Sequence, residues 1–389
     1  MKKLLLFLIC LVHLFCFAQT KNSSQKGESS QKEEYTILYL IPFFGELSED
    51  IIVGEIENDY DIYAHLSFQL VSFWEGAQIA LKEFDKQNVK LKVIVKDVTS
   101  DNSEKLKKIL EDTVLMKNVN LIIGPFYKNI FDMAAQYALR YKIPIVNPLS
   151  NRNDYLKQNP YTYKAIPSQE SKPLWIEKKL LSKYKNAKVI LYVDSEKSED
   201  AECYKKYFLR KDSISFVVIP FRQGIDNLSA VLDKNRHNII IASSRSASII
   251  INNIRLLANR NENLPPFTMV IPENWLLDIE GELETMNNLN MTLFSNYYVH
   301  PNDDKTLYFI TEFIEKFHAF PSVDRFAYQG YDITRFFIHC LIHNFDTSKF
   351  DYFPTALDFQ FQPLEEGGGF ENQSLRLLQL RDFEVIEVK

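Results

Sequence analysis

Along this chain, short apolar runs ending in Gly, Pro, Asn or Ser alternate with longer stretches whose apolar residues recur every three to four positions. The first pattern reads as buried strand and the second as amphipathic helix. It is sharpest between Asn120 and Asn151, NLIIGPFYKNIFDMAAQYALRYKIPIVNPLSN. Leu121, Ile122 and Ile123 form an apolar run stopped by Gly124-Pro125. From Asn129 the spacing turns helical, and Ile130, Met133, Ala134, Tyr137, Ala138 and Tyr141 share one face. Asn129 is the expected N-cap, with Asp132 three residues on to complement the helix dipole. Pro144 breaks the helix, Ile145-Val146 resumes a strand, and Pro148 ends it. Strand, helix, strand in about thirty residues is a βαβ unit with parallel strands and a right-handed crossover. Its two turns, residues 124–129 and 147–151, then share the carboxyl edge of a sheet, where open α/β sheets bind ligands.

The rhythm extends in both directions. Tyr35–Ile41 reads as a first strand running into Pro42-Phe43-Phe44-Gly45. Leu66, Leu70, Phe73, Trp74, Ala77, Leu81 and Phe84 mark a long amphipathic helix, in which Gly76 suits close packing on the sheet. Leu91, Val93 and Val95 alternate with lysines as a strand, and Leu106, Ile109 and Leu110 begin another helix. After an extended stretch at 152–170 a second set follows. Ser171 and Pro173 start a helix, and strands at 189–193, 214–219, 239–242 and 268–271 alternate with further helices. Three of these strands run into Asp194-Ser195, Ser243-Ser244-Arg245 and Pro272-Glu273-Asn274-Trp275. Residues 291–301 read as a second crossing segment, then come apolar helices at 304–317 and 326–343. The strand-like LDFQFQ, a turn at Gly367-Gly368-Gly369, and LRLLQL and FEVIEV finish the chain. Two sets of alternating strands and helices, with no short fixed period, predict two doubly wound α/β lobes.

The N-terminus has the layout of a secretion signal: Lys2-Lys3, an apolar core from Leu4 to Phe17, and Cys16-Phe17-Ala18 as cleavage site before Gln19. That core is too short for a transmembrane span, which needs about 20 residues. No other apolar stretch is longer, so no transmembrane segment is expected in the mature chain. Lipidation would need a small residue before the cysteine, whereas Ile9 precedes Cys10 and Phe15 precedes Cys16. Residues 19–34 are polar and read as a disordered leader. The remainder suits two ordinary domains.

A formal net charge of −6 with no basic run argues against nucleic acid as a partner. After cleavage only Cys203 and Cys340 remain, with no metal-ligand spacing. Residues 45–66 hold seven carboxylates and no Lys or Arg, but they lack the central glycine and bidentate Glu spacing of a calcium loop. No G-x-S-x-G, H-E-x-x-H or Walker sequence occurs. His339 and His343 stand four apart on a helix, among Phe336, Phe337 and Ile342, where a core-packed histidine is expected over a metal ligand. The expectation is a non-enzymatic protein with no catalytic residue, metal or cofactor.

The strand ending in IGP, the Ala-rich helix, the YKIPIV strand and the PLS turn resemble the type I periplasmic-binding-protein family, the two-lobed solute receptors typified by the branched-chain amino-acid receptors of ABC importers. WEGAQIALKEF resembles that family's first helix, and FAYQGYDITRFFIHCLI its late helix with a Tyr-Asp pair, here Tyr331-Asp332. The resemblance spans residues 35–389 and implies two Rossmann-like lobes on a three-strand hinge. It places 35–163 plus 299–348 in lobe 1 and 164–298 plus 349–389 in lobe 2, with crossings near 163, 298 and 349. It also implies closure on a small-molecule ligand, export to the periplasm or cell envelope, and a membrane permease as partner. The cleft-lining residues would be Phe43, Phe44, Tyr127, Lys128, Ser150, Asn151, Asp194, Ser244, Arg245, Asn274 and Trp275, since loops at strand ends face the cleft. The GPFYKNI phrase is closer to exported relatives that activate peptidoglycan synthases, which implies the alternative of a cell-wall synthase docked on the same body.

Overall fold

The computed structural model describes residues 34–45, 70–243, 247–260, 264–273, 275, 283–289, 291–321 and 325–388. The signal peptide, all but the last residue of the leader, the acidic stretch beyond Gly45, and Ser244, Arg245 and Asn274 lie outside the described residues.

Two seven-stranded sheets organise the chain. In the first, β1 (Tyr35–Ile41) lies between β2 (Leu91–Asp97) and β3 (Val119–Ile123), followed by β4 (Ile145–Asn147) and β5 (Thr162–Lys164), all parallel. In the second, β6 (Lys188–Val193) lies between β7 (Ser215–Pro220) and β8 (Asn238–Ser243), followed by β9 (Phe267–Val270) and β10 (Thr292–Ser295). Every residue of β1 is buried, as its nearly continuous apolar run, broken only by Thr36, requires of a parallel strand covered on both faces. In both sheets the chain reverses its direction of winding beside the opening strand. The β1/β3 and β6/β8 pairs are thus the switch points where such sheets leave a crevice.

Helices cover both faces of each sheet. The Val71–Lys86 and Phe326–Ile342 helices lie together on the first, locked at two glycines. A Cβ on Gly76 would sit 1.8 Å from the Ala327 carbonyl oxygen, and one on Gly330 1.8 Å from that of Phe73. Gly76 therefore serves a helix–helix approach, not the helix–sheet approach expected of it. The Lys128–Tyr141 helix also differs at its start. Tyr127 is the N-cap and makes no side-chain capping bond, while Asn129 Nδ2 donates to the Ser100 carbonyl at 3.0 Å.

The tail is divided between the lobes, which corrects the assignment of all of 349–389 to lobe 2. Strands β11 (Phe361–Pro363) and β12 (Phe370–Asn372) form a hairpin joined to β5, and only β13 (Arg376–Arg381) and β14 (Glu384–Glu387) join the second sheet. The third crossing thus falls between Asn372 and Arg376 rather than near 349. Aromatic packing explains it: Tyr163 stacks on Phe370 at 4.9 Å between ring centroids, and Phe336 packs on Phe359 at 4.6 Å. Asp332, fully buried, accepts the backbone N–H groups of Thr355, Ala356 and Leu357 at 3.0, 2.7 and 2.8 Å. The 291–301 segment likewise enters the second sheet as β10 before it crosses.

The three crossing segments are bonded to one another. Lys164 Nζ lies 3.0 Å from Glu371 Oε1, both side chains buried, and the same oxygen accepts Ser168 N at 2.7 Å. Burial lowers the Lys164 pKa, and Glu371 opposes that shift. Asn372 Nδ2 donates to Ala165 O at 2.9 Å, and Arg376 Nη1 donates to Tyr298 O at 2.9 Å and Ala356 O at 2.7 Å.

Candidate functional site

At the carboxyl edge of the first sheet, the described loops bond and pack against one another. Gly124, at φ +93°, turns so tightly that a Cβ would lie 2.2 Å from Leu40 O. This turn buries Phe126 against Phe73, with ring centroids 4.9 Å apart. Asn147 is fully buried at the end of β4 and ties two loops together. Its Nδ2 donates to Pro125 O at 3.3 Å, and its Oδ1 accepts Leu149 N at 3.1 Å and Ser150 N at 2.7 Å. Asp97 similarly accepts Phe43 N at 2.9 Å and Gly45 N at 3.1 Å.

The predicted ligand residues of this lobe are engaged within it. Phe44 is buried and meets the Tyr127 ring edge-on at 6.3 Å. Lys128 Nζ pairs with Asp132 at 2.9 Å and Asp154 at 3.2 Å, and these bonds raise its pKa. Asn151 gives its carbonyl to Lys164 Nζ at 3.2 Å.

The carboxyl edge of the second sheet is open. A cavity of about 410 Å³ lies beyond β6, β8 and β9, at the β6/β8 switch point. Ile241, Ala242, Val270, Ile271 and Phe294 supply apolar walls, and Gln169, Lys172, Asp194, Ser198, Glu199, Asp200, Tyr204 and Ser243 the polar ones. Ser198 caps the Glu199–Phe208 helix by accepting Ala201 N at 3.2 Å. Glu199, Asp200 and Glu202 crowd that helix's first turn, so its positive end is already met by negative charge. Ser243 Oγ donates to Asp200. Burial raises the Tyr204 phenol far above its ordinary pKa, so it stays neutral and able to donate. Lys172 enters from the crossing segment, and its ammonium makes no hydrogen bond or ion pair among the described residues. Burial lowers its pKa, opposed by the carboxylates of Asp200 and Glu273.

Of the predicted residues, Asp194 lines this cavity, as do Ser243 and Pro272, which adjoin Ser244 and the Glu273-Asn274 turn. Trp275 does not: it is fully buried in the second lobe's core, where a large apolar ring is most stable. Sequence reasoning missed Lys172, Asp200 and Tyr204. Only the position of a helix start just after the crossing segment pointed toward them. No cluster of His, Cys, Asp and Glu suited to a metal occurs among the described residues. His339 packs between Phe84 and Phe350, and Cys203 and Cys340 are free.

No family model matches the chain, and no curated protein matches it in sequence. Solved structures do. A putative branched-chain amino acid ABC transporter protein from Rhodospirillum rubrum has a TM-score of 0.65 at 14% identity, covering 91% of this chain and 100% of that one. An ABC transporter substrate-binding protein from Desulfitobacterium hafniense, in complex with Leu, has a TM-score of 0.53 at 15% identity, with 91% and 100% covered. Full-length LpoA from Haemophilus influenzae has a TM-score of 0.55 at 12% identity, and the match spans 91% of this chain but 58% of LpoA. Identities this low speak for the fold alone. With two doubly wound sheets, three mutually bonded crossings and the tail shared between the lobes, the chain has the two-lobed type I periplasmic-binding-protein fold.

Proposed function

We propose that the protein is an exported solute-binding protein that closes its lobes on a small molecule, for ABC-type uptake through a membrane permease or for sensing. The observation that carries this reading is the cavity at the β6/β8 switch point, with apolar walls and a half-buried lysine that is unpaired among the described residues. A pocket with these properties is the usual form of a ligand site. The three bonded crossings suit hinged closure, which needs a few residues that absorb the motion between rigid lobes. The fold neighbours include a substrate-binding protein holding Leu, but its grip is not carried over. The first-lobe loop here reads Phe126-Tyr127-Lys128-Asn129, without a hydroxyl from Ser or Thr. Native mass spectrometry of the purified mature protein tests the reading. A co-purified small molecule, lost on denaturation, is the expected result; a bare mass at every preparation counts against it.

A second reading, docking of a cell-wall synthase or other envelope protein, is favoured by the filled first-lobe edge and by the fold match to LpoA. Under it, Tyr127 and Lys128 face a partner rather than a solute. Substituting both would then abolish capture of that partner from envelope extracts without altering any bound mass.

A further inference from the structure

Lys172 lies among carboxylates and yet pairs with none of them. The charges that act on it are those of Asp200 and Glu273. Each is held elsewhere. Asp200 takes the hydroxyl of Ser243. Glu273 Oε1 is 2.7 Å from Ser295 Oγ and 2.8 Å from Nη1 of Arg325. Arg325 stands at the start of the Phe326–Ile342 helix, which packs on the first sheet, whereas Glu273 follows β9 of the second. The ion pair therefore runs from lobe to lobe. Its guanidinium is further fixed over the Tyr297 ring, 5.1 Å from the centroid, on the second crossing segment.

Building on the solute-binding reading, we infer that Arg325 is a positioning residue, which holds Glu273 away from Lys172 and so leaves the Lys172 ammonium free to take an oxygen of the solute. A half-buried ammonium beside carboxylates ordinarily pairs with one of them, since the pair offsets its desolvation. A site whose lysine was already paired would offer a solute oxygen no gain over water. Here the first lobe contributes to the site indirectly, by engaging the competing carboxylate. The arrangement also fixes the class of solute. Asp194, Glu199 and Asp200 outnumber the lysine in the cavity wall, so a net anion is repelled. The solute carries no net negative charge, presents a carbonyl or hydroxyl oxygen to Lys172, and offers N–H or O–H donors to Asp194.

The test needs no solute. The full mature chain is acetylated with limiting N-hydroxysuccinimide acetate, and the rate at Lys172 is read by mass spectrometry against Lys188, whose Nζ is bonded to Val231 O in the second lobe. In Arg325→Gln the freed Glu273 pairs with Lys172. An opposite charge raises the lysine pKa by about one unit, so labelling slows about tenfold. In Arg325→Gln/Glu273→Gln the tenfold slowing is abolished, and Glu273→Gln alone speeds labelling only slightly, because it removes a nearby charge and not a direct partner. An unchanged or faster rate in Arg325→Gln overturns the inference, as does slow labelling that persists in the double variant. A rate about tenfold faster in Glu273→Gln alone also overturns it, because Glu273 would then already be the direct partner. If the Lys188 rate shows that Arg325→Gln disturbs the fold, Glu273→Gln decides. These rates stand whether or not native mass spectrometry finds a solute, so the two readings fail separately.

Discussion

The two lobes share one strand order and one kind of edge, and they use the edge in opposite ways. After β1, β3 and β4 the described loops of the first lobe spend their polar groups on each other, through Asp97, Asn147 and the Lys128 ion pairs, and bury Phe44 and Phe126 among them. After β6, β8 and β9 the second lobe leaves a cavity with Lys172 unpaired. The fold supplies a crevice at each switch point, but side chains decide whether it stays open. On the proposed reading, recognition lies in the second lobe, and the first lobe reaches it through Arg325.

That division depends on the crossings, where the largest effect is expected. Replacing Glu371 by Leu leaves Lys164 buried without its partner and orphans Ser168 N, at a cost of about 3–5 kcal/mol. Replacing Lys164 by Met in the same chain recovers most of the loss, because a well-packed apolar pair replaces a buried ionic one. Urea unfolding of the single and double variants reads both. A harmless Glu371→Leu would mean that the crossings do not join the lobes as described.

The first lobe also carries an acid sensitivity. Burial, then the charges of Arg335 and His343, lower the His339 pKa from 6.5 to about 4. The folded state holds the ring neutral, and the unfolded state binds a proton from pH 6.5 downward. The stabilisation is therefore complete above that pH and is lost as pH falls toward 4. With the shift discounted for the ring's exposed part, the loss is about 2 kcal/mol. His339→Phe should flatten the fall in urea midpoint across this window. If the slope is unchanged, other groups carry it.

Much of the fold was legible because its signals are local. The IGP stop, the helical spacing of 130–141 and the apolar strands of the second lobe are written in consecutive residues. What was not legible is long-range. Nothing near Gly76 says that its neighbour is Ala327 rather than the sheet. The tail's division between the lobes rests on Tyr163 stacking on Phe370 and on Asp332 holding 355–357. For the site, strand ends located the edges but not which edge would be open. Trp275 was expected at a strand end, yet its ring turns into the core. Lys172, between Ser171 and Pro173, carries no motif that marks it as a ligand group.

A smaller effect on stability, and a sharper one on binding, is expected at Lys172. Lys172→Met removes a desolvated charge that has no partner, so the unfolding midpoint should move by less than about 1 kcal/mol. Any co-purified small molecule should be lost from the native mass spectrum. Tyr127→Ala, at the filled edge, should retain it. Loss in Tyr127→Ala with retention in Lys172→Met would reverse the roles assigned to the two lobes.

The smallest expected effect is none at all. Leucine, isoleucine and valine should give no thermal shift. The first-lobe loop lacks the Ser or Thr hydroxyl with which such a site would hold a carboxylate, and Asn147 already takes the N–H groups of Leu149 and Ser150. The Lys128 charge is shared between Asp132 and Asp154. A polar partner missing from a site can cost discrimination by orders of magnitude. At a hundred times its dissociation constant a true ligand would stabilise the fold by about 2.7 kcal/mol, well within the reach of a melting curve. A saturable shift with leucine, removed by Tyr127→Ala and untouched by Lys172→Met, would return recognition to the first lobe.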